Sequence, residues 1–192
     1  MRIIAGKHRG RKLLPPEGDL TRPITDRVKQ SLFDILQPRL AGSRVYDCFA
    51  GTGSMGLECL SRDTVTVSFF EADRSALSRL QRNIEAIDAK DRATIVRGDL
   101  FQWFDRQAAL VDEARIDLVF LDPPYRFLTE RPQDLKHLAL RMAARHLAKE
   151  GLVIFRHQAE MSLSLEGLVK VDQRDYGSMS IEFLKPVHPT VS

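Results

Sequence analysis

Ile116-Asp117-Leu118-Val119-Phe120-Leu121-Asp122-Pro123-Pro124-Tyr125 passes from an apolar run to a carboxylate, two prolines and an aromatic ring. The apolar run reads as a buried strand. In open α/β sheets ligands bind outside the carboxyl ends of the strands, which is where Asp122 to Tyr125 would fall. Pro123 and Pro124 fix their φ angles and carry no N–H. The carbonyls there are left as acceptors, Asp122 adds another, and Tyr125 offers a flat face. Such a set suits a planar base bearing an exocyclic amine. The plain alternative is a strand-to-loop turn punctuated by proline.

The rest of the chain gives this strand its context. Strands are expected over residues 44–49, 66–70, 93–97, 116–121 and 151–156. Helices are expected between them, over 54–61, 74–87, 100–111 and 132–149. Repeated βα units imply a mostly parallel sheet with helices on both faces. Residues 168–174 and 179–184 flank Tyr176-Gly177-Ser178 and read as a terminal antiparallel hairpin. Upstream, Val28, Leu32, Phe33, Ile35 and Leu36 have helical spacing, with Thr25 or Asp26 placed to cap the helix. Residues 1–14 read as two short strands joined by a basic turn. The chain thus divides into a basic arm over 1–20, an α/β domain over 21–187 and a frayed tail over 188–192.

Composition sets the class. A chain of 192 residues, 43% hydrophobic and 29% charged, suits one ordinary globular domain. It has no long apolar run and no apolar segment after its first basic residues, so neither a membrane span nor a signal peptide is expected. Cys48 and Cys59 both lie in apolar stretches and read as buried thiols, with no metal site. A cytoplasmic protein is the expectation. Net charge is +3 but uneven: residues 1–44 hold ten Lys/Arg against four Asp/Glu. Arg2, Lys7, Arg9, Arg11 and Lys12 cluster with no acid among them. That asymmetry suggests a nucleic-acid-facing arm, against the alternative of a mildly basic solvated face.

Asp47-Cys48-Phe49-Ala50-Gly51-Thr52-Gly53-Ser54-Met55-Gly56 follows the first strong strand. Gly51 and Gly53 allow tight turns and close approach of a ligand. Taken literally, Gly51 to Gly56 fits a dinucleotide fingerprint, with Glu71 at the end of the next strand to meet ribose hydroxyls. Asp47 argues for a different ligand. A carboxylate just before the glycines is a poor neighbour for pyrophosphate, which seeks N–H groups and positive potential. S-adenosylmethionine carries a sulfonium and an amino group and no phosphate. Asp99 follows the third strand, where it suits either an adenine amine or the cap of the next helix. Asp47, Glu71, Asp99 and Asp122 thus end four successive strands on one rim.

Asp47-x-Phe49-Ala50-Gly51-x-Gly53, Glu71, Asp99 and Asp122-Pro-Pro-Tyr125 resemble class I S-adenosylmethionine-dependent methyltransferases acting on exocyclic amines. Arg2-Ile3-Ile4-Ala5-Gly6, Thr21-Arg22-Pro23-Ile24-Thr25-Asp26-Arg27-Val28-Lys29 and Gly56-Leu57-Glu58-Cys59-Leu60-Ser61-Arg62 narrow the resemblance to the RsmD family. The resemblance runs from Arg2 to about Leu184. It implies a Rossmann-like methyltransferase fold and methylation of guanine N2 in 16S rRNA, of the guanine 966 type. It implies S-adenosylmethionine held by Asp47, Phe49, Ala50, Gly51, Gly53, Glu71, Asp99 and Asp122. Asp122, Pro123 and Tyr125 would hold and orient the amine. Lys7, Arg9, Arg11, Lys12, Arg22 and Arg27 would meet RNA phosphates, and Phe127 would extend the base pocket or pack against the loop. Free 16S rRNA or an assembling small subunit is the expected partner, and a monomer the expected state. The chain departs from the family at Asp63, often glycine there, and at Arg156-His157, where a glutamate is common.

Three other readings compete. A DNA amine methyltransferase can share Asp-Pro-Pro-Tyr but needs a sizeable target-recognition insertion, and none is present. A nicotinamide-dependent dehydrogenase would use the glycine loop, yet no hydride-transfer site is evident. A non-catalytic RNA-binding protein would have no need of the acids on the rim. Trp103 reads as helix packing.

Overall fold

Parallel pairing organises the first half of the chain. The computed structural model describes residues 1–17 and 24–187, in two units, Met1–Asp99 and Leu100–Ser192. In the first, β1 (Arg44–Cys48), β2 (Thr66–Glu71) and β3 (Ala93–Arg97) are all parallel, with β2 in the middle. Val45 pairs with Val67, and Val67 with Ala93. Three helices accompany them: α1 (Asp26–Leu36), α2 (Ser54–Ser61) and α3 (Arg74–Ala86). Thr25 caps α1, its hydroxyl accepting from the Val28 amide at 3.3 Å, and Asp73 caps α3 through the Ala76 amide at 2.8 Å. Val45, Leu57, Leu60, Val67, Phe69, Leu80 and Ile84 are buried here, each contributing about 1.5–3 kcal/mol by removal from water.

The second unit holds α4 (Leu100–Arg106), β4 (Ile116–Leu121), α5 (Phe127–Glu130), α6 (Pro132–Arg145), β5 (Leu147–Gln158), β6 (Leu168–Tyr176) and β7 (Met179–Pro186). β4 and β5 are parallel; β7 then pairs antiparallel with both β5 and β6. The expected hairpin is present, turning at Gly177 with φ of 64°. Among the described residues no helix is long and apolar enough to cross a membrane.

The structure revises several expectations. The arm is not two strands. One bridge, Arg2 to Lys12, closes it, and the backbone between turns elsewhere. The amides of Ile4 and Ala5 donate to the Glu58 carboxylate, and that of Lys7 to the Ser61 carbonyl. Pairing across the hairpin remains, with Ile3 donating to Arg11, Gly10 to Ile3 and Leu13 to Met1, but it is too short to form strands, and pairing with α2 adds to it. Gly6 makes the approach possible: its φ is 81°, and a Cβ there would lie 1.9 Å from the Ser61 carbonyl oxygen. Helix α4 ends at Arg106, short of residue 111, because the chain leaves to pair Leu110 with Arg145. Helix α6 ends at Arg145, and β5 begins at Leu147, earlier than expected, through an irregular register beside Ile116. The expected boundary at residue 20, Arg22 and the tail over 188–192 lie outside the described residues.

Candidate active site

The strand ends of the first unit converge on backbone amides. Asp47 is 3% exposed, and its Oδ2 accepts from the Gly56 amide at 2.8 Å, in the first turn of α2. The aspartate therefore fixes the loop that it precedes. Phe49 has a φ of 61°, a left-handed conformation that costs a bulky residue about 1–3 kcal/mol. Ala50 donates to the Phe70 carbonyl at 2.9 Å, while Gly51 and Gly53 complete the turn at φ of 56° and 85°. At that φ a side chain on residue 53 would be strained, and its Cβ would also meet a Leu80 methyl at 2.5 Å.

Glu71 ties this loop to the next strand end. Its Oε2 accepts from the Gly51 amide at 2.7 Å, and its Oε1 from Ala72 and Asp73 at 2.8 Å each. Oε2 keeps a lone pair for a hydroxyl. Gly98, at φ of 111°, donates to the Glu71 carbonyl at 3.0 Å and brings the end of β3 alongside. Asp99 follows, half-buried. A hollow of about 490 Å³ opens here, with Ala72, Arg74, Leu77 and Gly98 in its wall. Asp47, Phe49, Ala50, Gly51, Gly53, Glu71 and Asp99 thus all fall at or just past the carboxyl ends of parallel strands.

The basic arm is anchored from beneath. Glu58 is fully buried and pairs with Lys29 at 3.1 Å and Arg62 at 3.0 Å, besides receiving the Ile4 and Ala5 amides. Burial pushes the Lys29 ammonium below the usual lysine range, against the pull of Glu58. Asn83 on α3 accepts from the Leu14 amide at 2.7 Å and donates to the Thr52 carbonyl at 2.9 Å, so the arm and the glycine loop share a bracket. The outer face is cationic. Lys7, Arg9, Arg11 and Lys12 line a hollow of about 550 Å³ with His8 and Gly10. Lys7 pairs with Asp63 at 2.6 Å, whereas Arg9, Arg11 and Lys12 have no acidic partner among the described residues. Burial, then the charges of Arg92, Arg11 and Lys7, lower the His8 pKa. Arg27 is exposed on α1.

In the second unit, β4 delivers Asp122 to its carboxyl end. Pro123 is buried, and Pro124 and Tyr125 are half-buried. The Pro124 carbonyl accepts from Phe127 at 2.8 Å and that of Tyr125 from Leu128 at 3.1 Å, folding the loop into α5. The Pro123 carbonyl accepts nothing among the described residues. Phe127 packs on Phe101, ring centroids 6.2 Å apart, and Arg131 lies 4.1 Å over the Phe101 ring. Trp103 packs on Phe104 and His146, as helix packing requires.

The residue that sequence reasoning missed is Arg156. Its Nε donates to Asp122 Oδ1 at 2.7 Å, with the two side chains 13% and 23% exposed. Parallel pairing of Leu121 with Phe155 puts Asp122 and Arg156 side by side, one step past the matched pair. Burial raises the Asp122 pKa and Arg156 pulls it back; Asp122 in turn raises that of Arg156. The signal was the register of two parallel strands, which no local pattern states.

Mostly parallel strands, a glycine-rich turn after β1, acids at the strand ends and a C-terminal antiparallel hairpin define a class I, Rossmann-like methyltransferase fold. A solved structure described as "Putative methyltransferase yhhF from Escherichia coli" superimposes with a TM-score of 0.80 at 29% identity, covering 97% of each chain. The family described as Conserved hypothetical protein 95 matches residues 1–185, and the chain belongs to that family. "Putative rRNA methyltransferase YlbH" of Bacillus subtilis is 32% identical over 96% of this chain and 98% of its own length. "Ribosomal RNA small subunit methyltransferase D" of Haemophilus influenzae is 37% identical over 66% of this chain and 65% of its own length.

Proposed function

We propose that this protein transfers a methyl group from S-adenosylmethionine to the exocyclic N2 amine of a guanine in small-subunit ribosomal RNA. The observation that carries the reading is the end of β4. There a half-buried aspartate with one oxygen engaged, a proline carbonyl with no partner among the described residues and a half-buried tyrosine stand together. The methyl donor is S-adenosylmethionine. Glu71 Oε2 is the acceptor for its ribose hydroxyls, the Phe49–Gly53 turn lets backbone approach it closely, and Asp99 accepts from the adenine amine. Asp47 acts by holding the turn to α2.

The amine is a weak nucleophile because its lone pair is delocalised into the ring. Asp122 and the Pro123 carbonyl accept its N–H groups, which favours a pyramidal nitrogen and directs the lone pair at the methyl carbon. The N–C bond forms as the C–S bond breaks, with the bonding pair passing to sulfur. The methylated nitrogen then loses a proton to Asp122 or to water. Tyr125 stacks on the unstacked base. Much of the acceleration comes from positioning. Lys7, Arg9, Arg11, Lys12, Arg22 and Arg27 hold phosphates and set register without reading sequence. Free rRNA and the assembling subunit are both open as substrates, to a monomeric, cytoplasmic enzyme.

Labelled S-adenosylmethionine and small-subunit RNA from a strain lacking the protein provide the test. The wild type should label the RNA. Asp122→Ala should lose roughly 10²–10³-fold in turnover, the scale for removing one aligned polar group from a transition state, with cofactor affinity retained. Near-normal turnover by Asp122→Ala would sink the mechanism.

A further inference from the structure

Asp122 meets the chain's own arginine before it meets any substrate. Arg156 Nε donates to Oδ1 at 2.7 Å, a distance typical of a charge-assisted bond. Both side chains are largely buried, so solvent screens the pair far less than a surface ion pair. Arg156 is itself held. It stands on β5 where the ladders to β4 and β7 both run, its neighbour Phe155 paired with Leu121 and Arg156 itself with Ile181. One terminal nitrogen lies 3.8 Å from the Met179 sulfur. Glu182 pairs across from Phe155, not Arg156, so its side chain lies on the other face of the sheet, engaged by Lys170 at 3.0 Å. No second hydrogen bond to Asp122 is made among the described residues, so Oδ2 stays available.

We infer that Arg156 is a positioning residue for methyl transfer, fixing the Asp122 carboxylate in one orientation with Oδ1 spent and Oδ2 presented to the amine. This rests on the reading of Asp122 given above. A carboxylate on two rotatable bonds would otherwise sample several orientations, few of them aligned with an amine. The ion pair selects one of them before substrate arrives. Because Arg156 acts only through Asp122, its effect vanishes when Asp122 no longer needs orienting.

A double-mutant cycle of Arg156→Gln and Asp122→Asn, read by single-turnover transfer from labelled S-adenosylmethionine to RNA, tests this. Arg156→Gln should lower the transfer rate roughly 10- to 100-fold, the scale of a small misplacement of reacting groups. KM for RNA and the cofactor dissociation constant should stay within about twofold, since neither ligand is held by Arg156 itself. Arg156→Lys should recover part of the rate. In an Asp122→Asn background Arg156→Gln should cost nothing more, a strong departure from additivity. Full activity of Arg156→Gln, or losses that simply multiply in the double variant, would overturn the inference. If Arg156→Gln does not fold, Arg156→Lys, which keeps the charge and loses the Nε contact, enters the same cycle. A wild type unable to label any RNA amine would overturn the functional reading instead, so the two failures are distinguishable.

Discussion

Glu58, buried, and Asp122, half-buried, are both acids paired with an arginine, and they differ in what is left over. Glu58 has no exposure and spends both oxygens: Oε1 on Ala5 and Arg62, Oε2 on Ile4 and Lys29. Asp122 keeps a quarter of its side chain exposed and spends one oxygen, on Arg156. A fully satisfied buried charge is a structural knot, costly to cut and with nothing to offer a ligand. A half-satisfied one is held in place yet still able to accept. The Glu58 knot joins α1, α2 and the arm; the Asp122 pair stands at a strand end beside a carbonyl with no partner among the described residues.

The sharpest way to break this comparison is to neutralise each acid in turn. Asp122→Asn keeps an oxygen for Arg156 Nε and removes one charge, so it should cost less stability than the loss of Glu58 and collapse turnover, the largest effect expected anywhere in the chain. Glu58→Ala should do the reverse. It leaves Lys29 and Arg62 buried without a counter-charge, and loss of one partner of a buried pair typically costs about 3–5 kcal/mol. Denaturant unfolding would read that loss, and whatever protein remains folded should keep its turnover per molecule. A Glu58 variant that is stable but inactive would erase the distinction.

Glu71 sits between the two extremes, accepting three amides with a lone pair to spare. Glu71→Ala should weaken cofactor binding by roughly tenfold or more, as loss of a charge-assisted hydrogen bond allows, measurable by calorimetry. RNA affinity should not change. Smaller still is the arm. Replacing Arg9, Arg11 and Lys12 with alanine should weaken RNA binding and flatten its salt dependence by about two in slope, at about 0.7 per phosphate contact for single strands. An unchanged slope would make the arm a structural edge alone. At neutral pH the smallest effect belongs to His146, which burial, then Arg145 and Arg115, hold at a pKa of about 4. A histidine neutral in the folded state binds its proton only on unfolding across that window. Its stabilisation is therefore complete above about pH 6.5 and lost as pH falls towards 4. His146→Leu should flatten that part of the melting profile.

Much of the fold was legible because its signals are local. The apolar run before Asp122 and the glycines after Asp47 state their own geometry, and β3, β4 and α2 have the expected bounds. What escaped was carried by long-range pairing. Gly56-Leu57-Glu58-Cys59-Leu60-Ser61-Arg62 could be read only as a family signature, since nothing local shows that Glu58 and Ser61 receive the arm's backbone. Helix α5, a single turn, is too short for periodicity to reveal. Both departures from the family pattern acquire a physical reason. Asp63 has a φ of 67°, a conformation that favours glycine and that aspartate tolerates, and it supplies the partner of Lys7. Arg156 supplies the partner of Asp122. The four acids that the sequence placed at strand ends lie there, yet Asp47 and Glu71 turned out to hold backbone as well, a role that residue type alone does not announce.

The most direct test of the central claim is to identify the product. Small subunits and their free RNA from a strain lacking the protein should be incubated with it and labelled S-adenosylmethionine, digested to nucleosides and resolved by mass spectrometry. The account predicts label in N2-methylguanosine, at one position, absent with Asp122→Ala. Label in a methylated adenosine or cytidine, or none in either substrate while the protein binds the cofactor, would contradict it.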